Sequence, residues 1–158
     1  MPSYRSVFQP GLFSGRVAIV TGGGSGIGRC TAHELAALGA AVAIVGRKAE
    51  KLDAVRAEIE GVGGTCSTHV CDIREEDAVR ATVAAVIARH GRVDHLVNNA
   101  GTNPVFAPLA DLDLSVVRKV FETNVVSALG FAQRTWGAWM KEHGGSIVNI
   151  TSMAGISA

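Results

Sequence analysis

From Arg16 onward the chain alternates between two hydrophobic periods. RVAIVT (16–21) is a short β-branched run between glycines, and the following IGRCTAHELAAL carries apolar residues at helical spacing until Gly39. The same alternation recurs. AVAIVG is a second buried strand, and AEKLDAVRAEIE an amphipathic helix with Leu52, Val55 and Ile59 on one face. GGTCSTHVCD reads as a third strand, EEDAVRATVAAVIARH as a third helix, VDHLVNN as a fourth strand and GGSIVNITS as a fifth.

The longest helical pattern spans about 115–143. Its apolar residues, among them Val117, Val120, Phe121, Ala128, Leu129, Ala132, Trp136 and Met140, are too many for one narrow stripe, so part of this helix is expected to contact more than its own sheet. Strands that read as continuous apolar runs separated by helices imply a parallel sheet with right-handed crossovers, covered on both faces. The expected fold class is therefore α/β, a doubly wound Rossmann-type sheet with five strands. Residues 1–14 read as an N-terminal extension and 15–158 as one incomplete domain of this Rossmann type, with no repeat, low-complexity tract or linker between them.

Composition narrows the partners. Fifteen basic and 14 acidic side chains give a net charge of +1 without a concentrated field, so neither nucleic acid nor a membrane surface is expected as a partner. No apolar run reaches about 18 residues, the length of a membrane span. Cys30, Cys66 and Cys71 form neither a CxxC pair nor a disulfide framework, which suits a reducing, cytoplasmic location. The five histidines lack ligand spacing, and no metal is expected.

Candidate chemistry begins in TGGGSGIG (21–28), which joins the first strand to the first helix. Five glycines permit positive φ and close backbone approach, and the helix start offers free N–H groups to an anion such as a dinucleotide pyrophosphate; a simple chain reversal is the plainer alternative. The spacing is Gly22-x-x-x-Gly26-x-Gly28 rather than GxGxxG. Cofactor choice is read at the end of the second strand, where a carboxylate favours the NAD ribose and a cation the NADP phosphate. The residues there are Gly46-Arg47-Lys48, so NADP is expected in preference to NAD, unless the two cations only solvate the next helix.

Taken with Asp72-Ile73 after the third strand, Asn98-Asn99-Ala100-Gly101 after the fourth, Asn124 in the long helix and Ser152 at the end of the fifth strand, this loop resembles the short-chain dehydrogenase/reductase family over residues 15–158. The general look is similar to its 3-oxoacyl carrier-protein reductase-like members. The resemblance implies a pyrophosphate and ribose wrapped by the Thr21-to-Gly28 motif through Gly22, Ser25, Ile27 and Gly28, with Gly26 completing the turn. It also implies Asp72 on the adenine amino group and Ile73 against the ring. Asn99, Ala100 and Gly101 would then lie along the nicotinamide, with Asn98 and Asn99 bracing the sheet. From the residues alone, an Asn pair at a strand end also serves as a loop cap and a lone serine there as a helix cap. By the resemblance, Asn124 distorts its helix and holds a water in a proton relay, and Ser152 orients and polarises a substrate carbonyl. Helical spacing puts Asn124 on the face of Val117, Val120, Phe121 and Ala128, pointing inward and needing a partner.

The family's Tyr-x-x-x-Lys dyad is expected about a dozen residues past Ser152. The one tyrosine is Tyr4 and no lysine follows Lys141, so these 158 residues are expected to be the N-terminal portion of a longer enzyme, inactive alone, with an uncovered fifth strand. Three functions compete: an NADP-dependent oxidoreductase acting on a small-molecule carbonyl or alcohol, homo-oligomeric at full length; a nucleotide-binding or interaction module without turnover; and a methyltransferase on a similar sheet, which Arg47 and Asn98-Asn99-Ala100-Gly101 disfavour.

Overall fold

The computed structural model describes residues 6–105 and 107–152. Among them, β1 (Val17–Thr21), β2 (Ala41–Gly46), β3 (Thr65–Val70), β4 (His95–Asn98) and β5 (Ser146–Asn149) form one parallel sheet of order β3-β2-β1-β4-β5. Between them lie α1 (Gly26–Ala37), α2 (Ala49–Gly61) and α3 (Glu76–His90). The chain leaves β1 toward β2 on one side and toward β4 on the other, and a crevice opens at that reversal beyond the carboxyl ends of the strands.

Two cores sandwich the sheet. On one face Val20, Val42, Ile44 and Cys66 meet Ala32 and Ala36 of α1 and Leu52, Val55 and Ile59 of α2. On the other, Ile19, Ala43, Val45 and Leu96 meet Val79, Val83 and Val86 of α3, together with Phe131 and Met140. A fully buried side chain such as Phe131 contributes about 1.5–3 kcal/mol by leaving water. The helix α3 ends where Gly91 adopts φ +76°, a left-handed cap that lets its N–H return to the Ile87 carbonyl.

At the amino ends of the strands Asp94 ties β4 to β1. Its buried carboxylate accepts from the Val17 N–H at 2.9 Å, from Arg16 Nη1 at 3.0 Å and from Arg92 Nε and Nη2 at 2.8 and 2.7 Å. Burial alone would raise its pKa, but these donors outweigh it and hold the group below the usual carboxylate range.

The long helix departs from a simple stripe. It runs as α4 (Leu114–Phe121), a wide π turn over Glu122–Val126, α5 (Ser127–Thr135), a second π turn over Trp136–Met140, and the short α6 (Lys141–His143). Each wide turn accommodates one more residue and rotates the helical segment after it. Consequently Phe131, Thr135 and Met140 face the sheet, while Phe121, Leu129 and Trp136 stay exposed. The inward orientation expected for Asn124 is therefore corrected: its residue is exposed, because the face it shares with Phe121 is not the one that meets the sheet. Exposure also runs along the whole of β5, an edge strand of the described sheet.

Candidate nucleotide site

The crevice is a cleft of about 420 Å³ lined by the glycine loop, the ends of β2, β3 and β4, and α4 with its π turn. Thr21, at the end of β1, does not reach it. Its buried hydroxyl donates to the Val97 carbonyl and accepts the N–H groups of Asn99 at 2.9 Å and Ala100 at 3.0 Å. Asn99 Nδ2 in turn donates to the Thr21 carbonyl at 2.9 Å. The loop and the Asn-Asn-Ala-Gly segment are thus one braced unit. On the neighbouring residue, Asn98 Nδ2 donates to Ala128 O and to Asn149 Oδ1, joining β4 to α5 and β5.

Two glycines explain why the loop has its composition. Gly22 sits at φ +67°, and a Cβ there would stand 2.8 Å from Asn99 Nδ2 and 3.1 Å from Ala100 Cα. Gly28 has an ordinary helical position, but a Cβ would come within 2.4 Å of the Gly22 carbonyl oxygen. The helix α1 then begins at Gly26 behind Ser25, whose side chain makes no capping hydrogen bond, with no acidic residue in the first turn. Its first N–H groups remain available to an anion at the cleft. A tight glycine loop, in which side chains at Gly22 and Gly28 would strike the backbone and Asn99 behind it, beside an uncapped helix start, fits a pyrophosphate.

Of the residues singled out in the sequence, Gly22, Ser25, Arg47, Asp72, Ile73, Asn99, Ala100 and Gly101 line the cleft. Gly28 and Thr21 shape the loop from behind, and Gly26, at φ +53°, makes its turn. Ile27 is largely solvent-exposed. Asn124 lies behind Gly101 and bridges to one residue beyond it: its Oδ1 accepts the Thr102 N–H at 2.8 Å and its Nδ2 donates to Thr102 O at 2.9 Å. The π turn containing it is held by the N–H and hydroxyl of Ser127, both donated to the Glu122 carbonyl. The helix is thus distorted where expected, and the partner that Asn124 needed is the backbone of Thr102. Ser152 stands exposed just beyond β5.

Sequence reasoning missed Lys51, Arg74, Lys119 and Thr123, which also line the cleft. Lys51 lies one helical turn past the Arg47-Lys48 pair, while Lys119 and Thr123 come to the cleft from the long helix, far away in the sequence. Asp72 is the one carboxylate among the described lining residues. The hydrogen bonds from Arg74 hold its pKa down at about 2, more than offsetting its partial burial, with a further contribution from Arg47. Among the described residues no three His, Cys, Asp or Glu gather as a metal site, and no helix is long and apolar enough to cross a membrane.

A parallel sheet with its strand order reversed at β1, a glycine cradle before α1 and a cleft at the carboxyl ends define a dinucleotide-binding domain of the Rossmann type. Residues 16–158 match the family model described as short chain dehydrogenase, and the chain belongs to that family. It is 33% identical over 156 residues to the peroxisomal 2,4-dienoyl-CoA reductase of Danio rerio, covering 98% of this chain and 52% of the relative. The solved citronellol catabolism dehydrogenase (AtuB) of Pseudomonas aeruginosa PAO1 is 53% identical with a TM-score of 0.89, covering 95% of this chain and 61% of that one. Other solved neighbours are described as holding NAD+, NADP or NADH. The chain spans about half the length of the curated relatives it matches.

Proposed function

We propose that the chain forms the cofactor-binding portion of an NADP(H)-dependent oxidoreductase. The observation that carries the choice of NADP is the charge at the end of β2. Arg47, Lys48 and Lys51 line the cleft there, and the one carboxylate of the described lining, Asp72, is engaged by Arg74. The helix α2 begins after Lys48 with no side-chain cap, so the N–H groups of its first two residues add to the three cations, opposed by the one carboxylate of that turn, Glu50. The 2′-phosphate would lie on Arg47 and the helix start, the pyrophosphate on Gly22 and Ser25, the adenine between Asp72 and Ile73, and the nicotinamide along Asn99, Ala100 and Gly101.

The bound nicotinamide supplies or accepts the hydride that interconverts a small-molecule carbonyl and its alcohol. The protein's part is to orient and to handle a proton. Ser152 would donate its hydroxyl to the substrate carbonyl oxygen, stabilising the charge that gathers there. Asn124 keeps the backbone beyond Gly101 in place, and a carbonyl of its distorted turn would hold a relay water. The exposed Phe121, Leu129 and Trp136 of the long helix, on this reading, meet a second copy in a homo-oligomer of the full protein, and the location is cytoplasmic.

Fluorescence titration with NADPH and NADH tests the reading. A charge-assisted hydrogen bond contributes about 1.5–3 kcal/mol, so Arg47→Leu should weaken NADPH binding by about 10- to 100-fold and leave NADH nearly unchanged. Equal affinity for both nucleotides in the unaltered protein would remove the preference for NADP, and no binding of either would remove the function. Binding without turnover over a panel of carbonyls and alcohols, measured on the full-length protein, would favour the module that binds a nucleotide and does no chemistry.

A further inference from the structure

The carboxylate of Asp72 is not equally committed at its two oxygens. Oδ1 accepts from the Arg74 N–H at 3.1 Å and from Arg74 Nε at 2.9 Å, whereas Oδ2 accepts only from Arg74 Nη2, at 2.5 Å. A carboxylate oxygen offers about two lone-pair sites. Oδ1 is therefore filled and Oδ2 retains one. The three contacts come from a residue two positions along the same loop, and the guanidinium fork fixes the carboxylate plane as well as its charge.

The position of this pair along the cleft matters. Cys71 N–H donates to the Gly46 carbonyl at 2.9 Å, which sets the end of β3 directly beside the end of β2. A ribose held near Arg47 accordingly has its base beside Asp72, Ile73 and Arg74, all of which line the cleft. We propose that Arg74 is a positioning residue that presents the last open lone pair of Asp72 to an N–H donor of the base, so that the cleft prefers a 6-aminopurine to a 6-oxopurine. This rests on the nucleotide reading above and goes beyond it, since that reading leaves Arg74 without a role of its own at the base. A 6-amino group gives the donor that the open site requires. A 6-oxo group in the same pose turns an acceptor toward the carboxylate, and the N1–H donor of a 6-oxopurine meets the open site only if the ring shifts.

Without the Arg74 side chain the carboxylate keeps only the backbone N–H of residue 74 and can turn about that single contact, and the preference should collapse although Asp72 remains. The Arg74 side chain is itself about one-third exposed, at 36%, so its removal should not threaten folding. The test is a set of dissociation constants for the full-length protein with NADPH, its hypoxanthine analogue and NADH, in the unaltered protein, Arg74→Ala and Arg74→Lys. Expected is an adenine-over-hypoxanthine preference of about 10-fold or more, falling below about threefold in Arg74→Ala, with the NADPH-to-NADH ratio held within about twofold. Arg74→Lys, which keeps the charge without the fork, should recover only part of the preference.

An unchanged base preference in Arg74→Ala would overturn the inference and leave nucleotide binding intact. So would a joint loss of base and phosphate preference, because that marks general loosening of the loop. No base preference in the unaltered protein overturns it too, and failure of all three nucleotides to bind overturns both this inference and the function it rests on.

Discussion

Replacing Gly28 by alanine sets two local effects against each other, and the structure decides between them. Within a helix the change gains about 0.8–1 kcal/mol of intrinsic propensity, and Gly28 has no positive φ to forbid a side chain. The added Cβ, however, would stand 2.4 Å from Gly22 O, 2.5 Å from Asn99 Nδ2 and 2.8 Å from Gly22 C, all under the 3.0 Å that real contacts respect. None of these atoms is a flexible tip. Gly22 is anchored by its N–H to Val45 O at 2.8 Å, and Asn99 Nδ2 by its bond to Thr21 O at 2.9 Å. Overpacking of this kind costs about 1–3 kcal/mol, and weakening the Asn99 bond adds about 0.5–1.5 kcal/mol. The net loss should be about 1–3 kcal/mol after the propensity gain. At about 2–4 °C per kcal/mol for a domain of this size, Tm should fall by several degrees, and nucleotide affinity should drop further because the cradle itself is displaced. Gly61→Ala, in α2 with nothing within 4 Å of its Cβ, is the matched control and should leave Tm unchanged or slightly raised. Differential scanning fluorimetry with and without NADPH reads both. A Gly28→Ala protein as stable as the parent and unaltered in nucleotide affinity would refute the steric reasoning.

Three further outcomes are expected. Asp94→Ala removes the acceptor of the buried Val17 N–H, costing about 1–3 kcal/mol, with little added by the two half-exposed arginines; a urea midpoint equal to the parent's would contradict this. Ser67 Oγ bridges His69 Nε2 at 3.0 Å and His90 Nε2 at 2.9 Å, and burial lowers both imidazole pKa values, helped by His90 and Arg89 for His69 and by Arg89 for His90. Because the unfolded chain binds protons more readily, their contribution is complete above about pH 6.5 and is lost as pH falls through the native values. His69→Gln with His90→Gln should thus flatten the stability profile below about pH 6.5, and an unchanged slope would count against the assignment. Cys30 is exposed, whereas burial pushes Cys66 up to about 12 and also raises Cys71. A native thiol titration should show Cys30 reacting first and the other two only on unfolding, and rapid modification of all three would overturn that ordering.

Strand and helix order was legible because period is a local property. The runs at β1 and β2 are apolar up to their last residue, as strands covered on both faces must be, and Leu52, Val55 and Ile59 lie on the buried face that their spacing required. The long helix was legible in extent and not in phase. Its two π turns rotate α5 and Met140 relative to α4, and they depend on Ser127, Glu122 and the packing of Phe131, which no repeat in the sequence encodes.

By itself, then, the sequence determined the alternating architecture, the glycine loop before α1, the cations after β2 and the Asn-Asn-Ala-Gly segment, since each is a contiguous pattern whose chemistry lies in neighbouring residues. Tertiary structure alone decided that Thr21 braces the loop from behind the cleft, that Asn124 holds Thr102, and that Lys51, Arg74 and Lys119 join the cleft wall. It also decided that Asp94 fastens the far ends of β1 and β4. Each of those roles depends on where a side chain points after strands distant in the chain have paired side by side, and hydrophobic period constrains which face is buried without fixing which polar groups meet there.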